Sequence, residues 1–371
     1  MMRRAQILLC AAMLLASAPA MAAQYFLYVG SYTAGTSKGI YAWKFDSDTG
    51  ALAPMGLMAE TPQPAHLWVS PNGQFLYTVN WETQGGVSAY RIDSKSGALT
   101  FLNRVSSHGA QPNQVVLDPS GRIAVTVNYT SGTLAAYKVE TDGRLAEAFY
   151  VAQHSGQPLS PNQPGPKAHG IDFSQDGKWM FVAELGLDRV YSYRVDAAKP
   201  ALTPHAPPFV STHAGAGPRR LQLSPDGRFL YVDHETDSEV SVFSVADGAL
   251  KEIQAISTLP PGTEIRNTTA EILISGDGRH LYVTNRGHDS IAVFAIDRAT
   301  GLLTRTENVP SGGRTPRNIR LSPDGDYLFA ANENGGNITQ FRVDKTNGHL
   351  TPTGVTVPID TPGGMYFAKV R

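Results

Sequence analysis

Cysteine is nearly absent: one residue in 371, Cys10, and it lies inside an apolar N-terminal stretch. A chain that loses that stretch has no disulfide and no cysteine nucleophile. Charge of one sign is lacking too, with 31 Lys and Arg against 32 Asp and Glu for a net charge of −1. Such a balance gives no electrostatic footprint for nucleic acid. No apolar run reaches the length of a membrane span. There is no Gly-x-Ser-x-Gly elbow, no His-x-x-x-His pair and no glycine-rich phosphate loop, which weighs against the chemistries those motifs serve.

The first 22 residues read as a cleaved secretory signal peptide. Arg3 and Arg4 precede the apolar run Ile7 to Leu15, and Ala20-Met21-Ala22 offers small residues for cleavage. The mature chain, residues 23–371, would carry a net charge of −3, because the two arginines are lost from −1. Export without disulfides points to a bacterial periplasm.

What the chain has in abundance is one repeated phrase. Gly215 to Phe243 reads as an approach ending in Pro218-Arg219-Arg220, a short strand Leu221–Leu223 and a tight turn Ser224-Pro225-Asp226-Gly227. A second strand Arg228–Val232, a polar loop and a third strand Glu239–Phe243 follow. Proline presets φ, aspartate bonds the backbone and glycine supplies the positive φ. Variants end at Gly73, Gly121, Gly177, Gly278 and Gly325, so the six turn glycines are 48, 56, 50, 51 and 47 residues apart. A four-stranded unit with that period predicts an all-β fold, a β-propeller.

Six complete units are visible, and a seventh is shared between the ends. The chain opens with strands of the second, third and fourth type, Gln24–Gly30, Gly39–Asp46 and Ala51–Ala59. The missing innermost strand is Gly363–Val370, so a C-terminal strand joining three N-terminal ones closes a seven-bladed ring. Hairpins of the form Asp-x-x-x-Gly-x-Leu read as plain outer-edge turns. Two Pro/Gly-rich insertions, 153–167 and 260–269, break the period and should border the central channel.

Chain direction places the starts of innermost strands and the ends of second strands on one face. That rim collects His66, Asn113, His169, Arg219, Glu271 and Arg317, with Trp81, Glu82, Glu184, Glu235, Arg286 and Glu333. Each has a plain structural alternative: His169 a buried histidine bonded to backbone, Arg219 a blade cap, Glu235 a solvated acid, Arg286 a bridge through Asp289. Arg220 reads as a cap on the adjacent blade, and the repeated Asn80, Asn128, Asn285 and Asn332 as blade-locking groups. Functionally, paired arginines grip a carboxylate or phosphate, and a histidine beside a carboxylate can activate water. An arginine or amide can also steady an oxyanion. The residues suggest forming or hydrolysing an ester in a sugar-acid-like substrate.

These phrases resemble the lactonase family of seven-bladed propellers, which includes propeller-type 6-phosphogluconolactonases and fungal carboxymuconate-lactonising enzymes. The resemblance rests on Tyr28 to Thr33, His169 with Ala183 to Val190, Gly215 to Arg219, Asn285-Arg286-Gly287 with Ser290 to Phe294, and Arg317 to Gly325. It implies a catalytic set of His169, Glu235, Arg219 and Arg286. Two positions depart from the family pattern: Arg220 stands for a usual histidine and His234 for a usual asparagine.

The expected function is therefore hydrolysis of a sugar-acid lactone, 6-phosphogluconolactonase-like, in the periplasm. Glu235 or His169 is the base, Arg219 and Arg286 are the anion clamp, and Arg317, Glu184 and His66 are substrate-binding. No cofactor, metal, nucleic-acid or membrane partner is expected, and the chain should be a monomer or weak homodimer. A non-catalytic binding propeller and a lactonising isomerase remain as alternatives.

Overall fold

The computed structural model describes residues 24–371 except 162 and 164; the signal-peptide reading falls on residues outside that range. The described residues form seven four-stranded antiparallel sheets. Blade 1 joins the C-terminal strand Pro362–Lys369 to Gln24–Ser31, Gly39–Asp46 and Leu52–Glu60, and its register runs from Tyr25↔Lys369 to Ser31↔Pro362. The other six blades are consecutive in sequence, as the repeat requires. Among the described residues, no helix is long and apolar enough to cross a membrane.

Burial follows strand position. The second strand of blade 2, Phe75–Asn80, is buried throughout, whereas the outer strand Leu99–Ser106 is half exposed. Second strands are packed between neighbouring blades, so they read as nearly continuous apolar runs, while outer strands face water on one side. The turn chemistry acts as its residues imply. Ser224 Oγ and the Arg228 N–H both donate to Asp226 Oδ1, at 2.6 and 3.1 Å, and Gly227 takes φ +71°.

The outer hairpins do more than turn the chain. Tyr28, Tyr77, Tyr231 and Tyr282 donate their hydroxyls to the carbonyls of Gly97, Gly143, Gly301 and Gly348, each in the next blade's hairpin. Those glycines have φ between +72° and +91°, and a Cβ on any of them would overlap a ring of the preceding blade. The Asp-x-x-x-Gly-x-Leu phrase at Gly97, Gly301 and Gly348, and the related turn at Gly143, are therefore inter-blade locks. The repeated asparagines lock the ring as well: Asn80 Nδ2 donates to Pro62 O at 2.7 Å and Asn128 Nδ2 to Ser107 O at 2.7 Å.

Inner strands of adjacent blades lie side by side without pairing, which leaves N–H groups along their edges to satisfy. Side chains of the preceding blade supply the acceptors. Gln114 accepts from Ile171 at 2.7 Å, Asp172 from Leu223 at 2.8 Å, Gln222 from Ile274 at 2.7 Å and Asn318 from Met365 at 3.1 Å.

Every inner strand carries a β-bulge near its start, with two residues opposing one on the second strand. Between Pro218↔His234 and Leu221↔Val232, for example, Arg219 and Arg220 face Asp233 alone. The same holds for Ala65-His66, Asn113-Gln114, His169-Gly170, Ala270-Glu271, Arg317-Asn318 and Gly363-Gly364. A bulge re-aims side chains that strict alternation would send to opposite faces. Here it brings successive residues to the channel, the first at the mouth and the second deeper.

Candidate active site at the channel mouth

The bulges assemble a cation-rich cluster. Arg219, buried in blade 5, donates from Nε to Glu235 Oε2 at 2.6 Å. Arg286, from blade 6, reaches the same oxygen from Nη2 at 3.1 Å and also donates to the Thr269 carbonyl at 2.7 Å. One carboxylate thus faces two guanidiniums, leaving a local excess of one positive charge. Arg317 of blade 7 pairs with Glu333 at 3.2 Å and lies 5.4 Å from the Tyr32 ring.

His169 completes the arc. It is buried, and its ring meets Tyr129 edge to face at 5.7 Å, while Lys167 Nζ sits 4.1 Å over the Tyr129 ring. Burial first, then the charges of Arg219, Arg220, Arg317 and Arg286, hold its pKa well below the usual value of 6.5. The imidazole is therefore neutral at physiological pH and can accept a proton. Burial pushes the Glu235 carboxyl up, but Arg219 and Arg286 outweigh it and hold the pKa below the usual 4.5. Burial draws the Arg286 guanidinium down to about 10, still charged at neutral pH.

Several buried polar atoms here have no protein partner: Asn113 Nδ2 and Oδ1, His169 Nδ1, Arg219 Nη1 and Arg286 Nε. Buried polar groups are normally satisfied, so a concentration of unpaired ones at the mouth of a channel marks a place for a polar ligand. Clefts between blades lie elsewhere. One of about 650 Å³, lined by Asn72, Arg122, Lys138 and Pro200 among others, opens on the opposite face beside the turns.

The structure brings His169, Arg219, Glu235 and Arg286 together, with Arg317 alongside. Glu184 is a correction: the sequence reading made it a substrate ligand, but its carboxylate is fully buried and committed to the fold. Its Oε2 lies 2.9 Å from His154 Nδ1, and Oε1 accepts from the N–H groups of Lys167 and Gly186. It therefore clasps both ends of the 154–167 loop. His66 is a second adjustment, since it occupies the deeper bulge position, stacked on Trp68 at 6.4 Å. Glu271 shares that depth and accepts from Asn318 at 2.6 Å.

Arg220 caps the adjacent blade, as its position implies, and reaches beyond it. Its guanidinium donates to the carbonyls of His169 at 3.3 Å and Asn113 at 3.2 Å, and lies 3.8 Å from Glu271. It thus ties blade 5 to blades 3, 4 and 6. Sequence reasoning also passed over Tyr32, Tyr129 and Lys167. Aligning the repeats finds the first two: Tyr32, Trp81, Tyr129, Leu185, Glu235, Arg286 and Glu333 occupy one repeat position. The mouth is aromatic on one side and charged on the other.

Comparison with known proteins agrees with this architecture. Residues 26–367 match the family described as "Lactonase, 7-bladed beta-propeller". The 6-phosphogluconolactonase of Bacillus subtilis is 35% identical over 299 residues, covering 80% of this chain and 84% of that protein. The 6-phosphogluconolactonase of Formosa agariphila is 30% identical over 303 residues, covering 79% and 85% respectively. Among solved structures, the Pseudomonas aeruginosa periplasmic gluconolactonase superimposes with a TM-score of 0.89 at 32% identity, covering 94% of this chain and all of that one.

Proposed function

The chain belongs to the lactonase family of seven-bladed β-propellers, and on that premise we propose that it hydrolyses a sugar-acid lactone at its channel mouth. The observation that carries the reading is the Arg219–Glu235–Arg286 bridge beside a neutral His169. The names of its relatives, 6-phosphogluconolactonases and a periplasmic gluconolactonase, support the substrate class.

In this reading the anionic or hydroxyl-rich end of the lactone meets Arg286 and Arg317, and its ring lies against Trp81 and Tyr129. His169 takes a proton from water as the oxygen attacks the ring carbonyl. Arg219, whose Nη1 has no protein partner, stabilises the oxyanion. When the tetrahedral intermediate collapses, the ring C–O bond breaks and His169 returns the proton to the departing oxygen. The product is the open-chain hydroxy acid, and its new carboxylate lies among guanidiniums. Glu235 has two cations on one oxygen and a depressed pKa, so it is the weaker base. Its part is to keep two like charges together. No metal ion enters these steps.

The leader sequence adds a location: an enzyme exported and cleaved near Ala23, working outside the cytoplasm. Mass spectrometry of the protein recovered from the periplasm tests this, and an intact Met1 there would refute it.

Acid release from purified protein tests the reaction, with glucono-δ-lactone, 6-phosphogluconolactone and other aldonolactones as substrates. Turnover above the spontaneous rate, lost in His169→Gln and Arg219→Ala and kept in EDTA, is the expected result. A saturable but unreacted lactone would leave a binding propeller instead.

A further inference from the structure

Beside the catalytic cluster, on the same rim of blade 5, four metal-ligating side chains converge. His213, His234, Asp237 and Glu239 hold ligand atoms that all lie within 4.8 Å of one another. His213 Nε2 is 2.5 Å from Asp237 Oδ2, and His234 Nδ1 is 3.3 Å from Oδ1 of the same carboxylate. The two imidazoles cross at 5.4 Å. We propose that this cluster binds one divalent cation of the zinc class, held by two imidazoles and two carboxylates.

The donor set selects the ion. Two nitrogens and two carboxylate oxygens suit zinc and its neighbours, whereas calcium and magnesium prefer oxygen alone. With neutral imidazoles the cluster carries two negative charges, which a divalent cation offsets.

The fold supplies the geometry. His213 lies on the loop entering blade 5, His234 ends the blade's second strand, Asp237 lies on the turn that follows, and Glu239 opens the third strand. Asp188, buried and in the left-handed conformation with φ +54°, accepts from the N–H groups of Gly215 and Gly217 at 2.8 and 2.9 Å and so fixes the first loop. The two segments are then joined through Glu235 N–H to Gly217 O at 2.8 Å and Thr236 N–H to Ala216 O at 3.2 Å. The ligands are therefore held close before any ion arrives, which reduces the ordering cost of binding. His234 is fully buried and its Nε2 has no protein partner. Among the described residues, its ring nitrogens make one polar contact, that of Nδ1 with Asp237, so an ion that displaces it meets no second hydrogen bond to break.

Glu235 stands between His234 and Asp237 in sequence, yet its side chain is turned to Arg219 and Arg286. The ion would clip the segment that carries Glu235 and take no part in hydrolysis. Its ligands are 21 residues apart at their closest between the two segments, from His213 to His234, so no compact motif announces them.

The test uses tag-free mature protein, stripped with chelator and dialysed. Zinc is titrated calorimetrically, and cobalt by its visible spectrum. One ion per chain at low-micromolar or tighter affinity, with the intense bands of four-coordinate cobalt, is the expected result. His213→Ala and Asp237→Asn should each weaken binding by about tenfold or more and leave the unfolding midpoint of the metal-free protein unchanged. No saturable binding, or binding unaltered in both variants, overturns the proposal. Because binding is read directly, a negative lactone assay does not bear on it, nor does failed binding bear on hydrolysis.

Discussion

Arg220 donates to the backbone carbonyl of His169 across a blade boundary, at 3.3 Å. The residue after one proposed catalytic arginine thereby holds the proposed base in position. Burial lowers its own pKa to about 10, against the pull of Glu271, so it stays charged and keeps these bonds throughout the physiological range. Arg220→Met should cost about 2 kcal/mol of stability, the worth of a charge-assisted bond to a buried carbonyl. It should lower kcat more than it changes KM. It also removes one of the charges repelling a proton from His169, so the acid limb of the rate profile should move to higher pH. Denaturant unfolding and pH–rate profiles together distinguish this positioning role from simple destabilisation.

His169 itself sets the pH dependence. Its pKa in the fold lies below 6.5 because of burial and four guanidiniums, so kcat/KM should climb as pH rises through that depressed value. It should be flat from pH about 6.5 upward, once the spontaneous rate is subtracted. Linkage has the same sign. Between the folded and unfolded pKa values the unfolded chain binds more protons, so stability is full above about 6.5 and falls as pH drops below it. His169→Gln should abolish both the limb and this share of the acid sensitivity.

Glu235→Gln should separate binding from turnover. Without the carboxylate, Arg219 and Arg286 repel each other, and the lost ion pair costs roughly 1–3 kcal/mol, given partial exposure. The freed guanidiniums should bind inorganic phosphate or the aldonate product more tightly, by about tenfold, while kcat falls. Product-inhibition constants measured beside kcat check both halves.

The hairpin glycines should matter for stability alone. Gly301 has φ +78°, and a Cβ there would meet the Phe229 ring. Gly301→Ala should destabilise by about 2 kcal/mol or more with kcat/KM unchanged in the folded fraction. Calorimetry and kinetics at low temperature test the pair of outcomes.

The blades themselves were legible because their signals are local. Pro-Asp-Gly turns, alternating apolar residues and a fifty-residue period each depend on neighbours in the chain. Even the C-terminal strand could be assigned to blade 1, since only one inner strand was missing. His169, Arg219, Glu235 and Arg286 were placed on one rim by strand direction alone.

What a given side chain does there was decided by the tertiary structure. Alternation gives Arg219 and Arg220 opposite faces, and the bulge that brings both to the channel forms through pairing with the second strand, where the two residues oppose Asp233. Glu184 and Glu235 are both acids at the ends of second strands, yet His154 and two backbone amides draw one inward while two arginines from different blades hold the other at the mouth. A local pattern specifies a strand and a turn. The partners that give a buried charge its role come from residues far away in the chain, and only the closed ring brings them within bonding distance.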